Sequence, residues 1–216
     1  MSPVRVKICG ITSARDLQAA ADAGADAVGL IVNVPKSPRN LMLSKARIIA
    51  RKTPPFVETV IVTLPHSISH LEKIHSKLKP STIQVHGLTQ YAEIRRRLPE
   101  TRLIGAVHAD PEKALTTAIR AAETLDAVLL DTPAQNEHGG TGLTHDWSLS
   151  GKVREAIHPK PLILAGGLKP ENVAEAVKLV RPYAVDVSSG VEARPGVKDH
   201  KKMVEFVRKA KEANTC

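Results

Sequence analysis

Aromatic side chains are almost missing from this sequence. Phe56, Phe206, Tyr91, Tyr183 and Trp147 are the full set, 2% of 216 residues. A protein that grips single-stranded nucleic acid needs stacking platforms, and five scattered rings are few for that task. Any core must instead be filled by Val, Ile, Leu and Ala. Cysteine is nearly as scarce. Cys9 and Cys216, far apart in the chain, give no disulfide framework and too few ligands for a cysteine metal site. Such usage suits a reducing compartment. No stretch approaches the roughly 20 apolar residues that span a membrane, and the opening MSPVRVKICG lacks the apolar run of a signal peptide. The expectation is a cytoplasmic protein with no membrane partner.

Apolar residues make up 42% and charged residues 25%, the balance of a folded globular chain. Its length fits one domain spanning residues 1–216. Lys plus Arg number 31 against 22 Asp plus Glu, a net charge of +9. A basic surface attracts nucleic acid, membranes or a small polyanion. The positive charge is spread along the chain, and its densest cluster, Arg95-Arg96-Arg97, falls on the exposed face of a predicted helix. Without a recognition motif, nucleic acid is not an expected partner.

The organising signal is alternation. Short β-branched runs at 4–9, 27–32, 57–63, 82–85, 102–108, 127–131, 161–165 and 184–187 read as strands. Amphipathic stretches at 14–23, 44–52, 68–78, 91–98, 111–124, 146–157, 170–180 and 200–213 read as helices. Ser13 and Asp16 have capping-box spacing, as do Ser69 and Glu72; Gly24 ends the first helix, Pro170 suits a first helical turn and Asp199 caps the last helix. Strand–helix alternation implies parallel pairing, and eight units close a single compact α/β (β/α)8 TIM barrel. A doubly wound sheet would open with a glycine-rich phosphate loop, and Cys9-Gly10-Ile11-Thr12 is not one.

Barrel active sites lie at the C-terminal strand ends, and here nearly every end carries polar or glycine-rich residues. Gly166-Gly167 after the seventh strand and Ser188-Ser189-Gly190 after the eighth suit a phosphate, because glycines let backbone N–H groups approach an anion. The two serines either donate hydroxyls to it or cap a short helix. Cys9 ends the first strand, placed for proton abstraction or nucleophilic attack. Lys7 points to the same face. It either lowers the thiol pKa or is held by a carboxylate such as Asp186, which weakens that effect. Asp131 follows Val128-Leu129-Leu130, and apolar neighbours raise a carboxyl pKa toward general-acid use. Arg39, stiffened by Ser37-Pro38, suits capture of a carboxylate. Gln84, His86 and Gly140 complete the candidate pocket. No metal-ligand set is apparent, His66, His70 and His75 included.

Together these segments resemble the phosphoribosylanthranilate isomerase family of tryptophan biosynthesis. The matching segments are Lys7-Ile8-Cys9-Gly10-Ile11, Asp26-Ala27-Val28-Gly29-Leu30, Ser37-Pro38-Arg39, Gln84-Val85-His86-Gly87, Leu130-Asp131, Gly139-Gly140-Thr141-Gly142, Leu164-Ala165-Gly166-Gly167-Leu168, Pro170-Glu171-Asn172-Val173, and the run from Val185 to Glu192 with Pro195-Gly196-Val197-Lys198-Asp199. The resemblance implies a (β/α)8 barrel with no cofactor or metal and a small phosphosugar substrate, in a monomer or homodimer. It implies Cys9 as general base, Asp131 as general acid, Arg39 on the anthranilate carboxylate, and the Gly166-Gly167 and Ser188-Ser189-Gly190 loops on phosphate. Leu30-Ile31-Val32 departs from a Phe-bearing family pattern, which is expected to alter packing near the anthranilate ring. The related histidine-pathway isomerase has a carboxylate where this chain has Cys9, although that does not exclude a dual-substrate enzyme.

Overall fold

The computed structural model describes residues 3–132 and 146–213. Eight parallel strands close one barrel in sequence order: β1 Arg5–Cys9, β2 Ala27–Val32, β3 Glu58–Thr63, β4 Thr82–Val85, β5 Arg102–His108, β6 Ala127–Asp131, β7 Leu162–Leu164 and β8 Ala184–Val187. The ring is sealed by β8 against β1, with Lys7 opposite Asp186. Eight helices follow in turn: α1 Ala14–Asp22, α2 Leu43–Ala50, α3 Ile68–Leu78, α4 Tyr91–Arg97, α5 Ala114–Thr124, α6 Trp147–Ile157, α7 Val173–Val180 and α8 His200–Glu212.

The period-2 alternation of each strand sorts side chains into two cores. Cys9, Val60, Val62, Ile104, Ala127, Leu129, Ile163, Ala165 and Ala184 fill the barrel. The opposite faces, including Ile8, Leu30, Ile61, Ile83 and Leu103, pack under the helices with Leu17, Leu71, Ile94 and Phe206. Burying a Leu or Ile side chain stabilises a fold by about 1.5–3 kcal/mol, so aliphatic layers suffice and the scarcity of rings is no handicap. Leu30 and Val32 are wholly buried in this outer layer, whereas Ile31 packs against the barrel interior. The expectation that the Phe-to-aliphatic departure alters the pocket is therefore corrected: two of its three residues face away from the mouth.

Local chemistry sets most helix ends. Ser13 Oγ accepts from the Asp16 N–H at 3.1 Å, and Asp199 Oδ1 accepts from the Lys201 and Lys202 N–H groups. Gly24 follows α1 in the left-handed region, at φ +87°. Three boundary readings need correction. Ser67, not Ser69, caps α3, accepting from the His70 N–H at 3.1 Å; Ser69 lies inside the first turn. Pro170 belongs to a turn that precedes α7, whose first residue is Val173, and α5 begins at Ala114 rather than at Pro111. Within the basic cluster Arg95 folds back, donating to the carbonyls of Thr101 and Thr124 and pairing with Asp126; Arg96 and Arg97 are exposed.

One further element lies between β8 and α8. After a short 3-10 turn over Ser189–Val191, β9 Glu192–Arg194 and β10 Val197–Lys198 form an antiparallel hairpin that sets Lys198 opposite Glu192. Its turn is tied to the first loop, where the Thr12 hydroxyl donates to the Gly196 carbonyl at 2.6 Å.

Candidate active site

The inward-facing ends of the strands gather the candidate residues. The buried Lys7 ammonium donates to Asp186 Oδ2 at 2.9 Å. Cys9, one pleat further along β1, is also buried, and its sulfur lies over β2, 2.7 Å from where a Cβ on Gly29 would stand. The Asp26-Ala27-Val28-Gly29-Leu30 segment therefore carries a packing role that spacing alone does not disclose: Gly29 makes room for the Cys9 sulfur. On β4 the Gln84 side-chain amide meets His86 Nε2 at 2.8 Å.

Burial and neighbouring charge set the protonation of these groups. Burial pushes the Cys9 thiol pKa up and Asp186 adds to the rise; Lys7 and Lys198 pull it down without reversing it. Both readings of Lys7 hold: Asp186 holds the ammonium, whose charge still pulls the thiol pKa down, by less than burial and Asp186 raise it. Burial also opposes the Lys7 ammonium, but Asp186 and Cys9 outweigh it and hold its pKa above the ordinary value. Asp131 is raised to about 6, by burial first and by the Asp186 charge second, with the Thr132 N–H and Lys7 offsetting part. Burial, with Lys7 and His108, lowers His86 to about 4, so its imidazole is neutral at neutral pH. Cys9 on β1 and Asp131 on β6 thus both sense the Lys7–Asp186 pair.

The loops after β7 and β8 meet. Gly166 and Gly167 have φ of +89° and +64°, and their N–H groups take no backbone partner among the described residues. A Cβ on Gly190 would strike the Leu168 carbonyl, so glycine there lets the two loops touch. The α7 N-terminus stands beyond the glycine pair, and Asn172 bridges the gap by donating to the Gly167 carbonyl and accepting from the Lys169 N–H. Ser188 Oγ, Gln84 Oε1 and Asp186 Oδ1 are buried atoms with no hydrogen-bond partner among the described residues. Buried polar groups are nearly always satisfied, so these three mark where polar groups of a ligand or water belong.

Arg39 is buried rather than set in a surface salt bridge. Its Nε and Nη2 donate to Glu192 Oε1 and Oε2, each at 2.7 Å. Glu192 and Lys198 are the functional candidates that sequence reading passed over as site residues. Both stand inside the quoted motifs, but their pairing depends on a hairpin of two and three residues that has no periodic signal. Gly140 and its neighbours in 139–142 lie outside the described residues, as does Cys216. Among the described residues no group of three or more His, Cys, Asp or Glu is arranged to hold a metal ion, and no helix is long and apolar enough to cross a membrane.

Fold and site together define a (β/α)8-barrel enzyme with its polar groups gathered at the C-terminal mouth. The family described as N-(5'phosphoribosyl)anthranilate (PRA) isomerase matches residues 6–209. The N-(5'-phosphoribosyl)anthranilate isomerase of Methanothrix thermoacetophila is 43% identical over 210 residues, covering 96% of this chain and 98% of its own. That of Legionella pneumophila strain Corby is 44% identical over 207 residues, covering 96% and 97%. The crystal structure of phosphoribosyl anthranilate isomerase from Thermotoga maritima matches with a TM-score of 0.86 at 40% identity, over 97% of this chain and 99% of that one. The chain belongs to the N-(5'-phosphoribosyl)anthranilate isomerase family and is an isomerase.

Proposed function

We propose that this chain carries out the Amadori rearrangement of N-(5-phosphoribosyl)anthranilate to 1-(2-carboxyphenylamino)-1-deoxyribulose 5-phosphate in tryptophan biosynthesis, as a single cytoplasmic domain of residues 1–216. The observation that carries the reading is the placement of Cys9 and Asp131 at inward strand ends around one buried ion pair, in a chain of this family. A related structure, phosphoribosyl anthranilate isomerase in complex with reduced 1-(o-carboxyphenylamino)-1-deoxyribulose 5-phosphate, has a TM-score of 0.83 at 38% identity. Another related structure is described as monomers generated from a dimeric enzyme, and a monomer or homodimer is the inferred state here.

Asp131, as the acid, protonates the furanose ring oxygen while the C1′–O bond breaks, and the anilino nitrogen supplies electrons to form an iminium. That iminium acidifies C2′, and the Cys9 thiolate removes its proton. The resulting enolamine tautomerises to the ketone. Acid and base each contribute a factor of about 10²–10⁴. Lys7 favours the thiolate by its charge. The Gly166-Gly167 and Ser188-Ser189-Gly190 loops receive the phosphate and Arg39 the ring carboxylate, fixing both ends of the substrate. Gln84, His86 and Asp186 offer polar contacts to the sugar between them. The test is the fluorescence of anthranilate during incubation of purified protein with freshly made substrate. A catalysed change is expected, and a rate equal to the enzyme-free control overturns the proposal.

A further inference from the structure

Arg39 reaches the mouth already engaged. A guanidinium has a side-on edge, Nε with one terminal nitrogen, and an end-on edge shared by the two terminal nitrogens. Glu192 occupies the side-on edge with both carboxylate oxygens at 2.7 Å. Among the described residues no other group hydrogen-bonds to the end-on edge. Glu192 is itself held: Oε1 also accepts from the Lys198 ammonium at 3.0 Å, and that ammonium donates to the Ser188 carbonyl at 3.0 Å. The cross-strand register of the β9–β10 hairpin places Glu192 and Lys198 opposite each other. The packing is close along the aliphatic stem of Arg39 and at the Pro38 carbonyl before it. A Cβ on Gly10 would meet Arg39 Cδ at 2.5 Å and Ser188 Oγ at 2.9 Å, and one on Gly196 would meet the Pro38 carbonyl at 3.0 Å.

We propose that Glu192 is a positioning residue: with Lys198 it forms a clasp that aims the end-on edge of Arg39 at the substrate's ring carboxylate and ties that grip to the phosphate loop at Ser188. Two cations against one carboxylate leave the clasp with surplus positive charge for a second anion. A single buried Arg–Glu pair would be neutral toward it. The hydrogen-bonded chain Arg39–Glu192–Lys198–Ser188 also sets the distance between the carboxylate and phosphate ends of the site. This inference rests on the assignment of Arg39 to the ring carboxylate.

The experiment measures, by calorimetry, the affinity of reduced 1-(o-carboxyphenylamino)-1-deoxyribulose 5-phosphate and of its phenylamino counterpart without the carboxyl group. The ratio of the two reports the carboxylate grip alone. In Arg39→Ala the preference for the carboxylated compound should vanish. In Glu192→Gln it should fall at least about tenfold, the scale of a hydrogen bond to a charged group, while the descarboxy compound binds within about twofold of wild type. Glu192→Asp keeps the charge but is one methylene too short to hold the fork, and it should lose the preference as well, which covers the case of a Gln variant that does not fold. If Arg39→Ala loses the preference and both Glu192 variants keep it, the clasp is wrong and the Arg39 assignment stands. If Glu192→Gln weakens both compounds equally, its role is general support and the proposal is overturned. Retention of the preference in Arg39→Ala overturns the Arg39 assignment and the clasp with it.

Discussion

Asp131 and Cys9 are displaced in the same direction, and this has consequences at the scale of single residues. Asp131 titrates near 6 and the Cys9 thiol above its ordinary range. Between those values the pair holds one proton, and the reactive thiolate–carboxylic acid arrangement differs from thiol–carboxylate only in which group carries it. The expected kcat/KM profile is therefore bell-shaped. It falls below about pH 6, where both groups are protonated, and at alkaline pH, where neither is. Profiles for wild type and Asp131→Asn check this, and an acid limb unchanged in the variant counts against the assignment. The same displacement has a cost in stability. The folded-state pKa lies above the unfolded value, so no penalty exists below the unfolded pKa, and it grows to full size as pH rises through about 6. Asp131→Asn should therefore be more stable than wild type at about pH 8, by at most about 3 kcal/mol, with the gain gone near pH 3. Urea unfolding at both pH values decides it. The position of Asp131 at a strand end after three apolar residues was enough to anticipate its raised pKa. The direction for Cys9 was not legible, because sequence does not show how completely Asp186 occupies Lys7.

Elements position these residues through contacts between loops. Gly190 is the joint between the β7 and β8 loops. A methyl group at this position must displace the Leu168 carbonyl, so Gly190→Ala is expected to destabilise the fold by about 1–3 kcal/mol. It should also raise KM by about tenfold or more as the phosphate loops separate. Thermal unfolding and steady-state kinetics measure the two effects, and normal values of both would refute the joint. Regular elements were readable because burial has a period: β2, β4, β5, β6, β8 and α3 match their expected spans, and the other elements differ by one to three residues at one or both ends. Ser67 and Ser69 both have a helix-starting character, and only the backbone turn before α3 selects the first. The β9–β10 hairpin was unreadable for the opposite reason. Strands of two and three residues show no alternation, so the Glu192–Lys198 pair appears only in three dimensions.

At the scale of the whole molecule, closure of the barrel is what turns separate motifs into a site. Cys9 and Asp131 lie 122 positions apart in the chain. They share an electrostatic environment because β8 seals against β1 and sets Asp186 beside Lys7. That closure was inferable from counting strand–helix units, since eight parallel strands have few other ways to cover their edges. The +9 charge is only partly explained by the site. Arg47, Arg51, Lys77 and Lys79 line a separate cleft of about 510 Å³ between α2 and α3. The central claim is that two strand ends from different parts of the ring act on one substrate. It is tested most directly by turnover in Cys9→Ser, Asp131→Asn and the double variant, each checked for a wild-type circular dichroism spectrum. Each single change should lower kcat by at least about 10²-fold, and the double should be little worse than the poorer single, because groups acting on the same step are not additive. Near-normal turnover in both single variants would contradict the account.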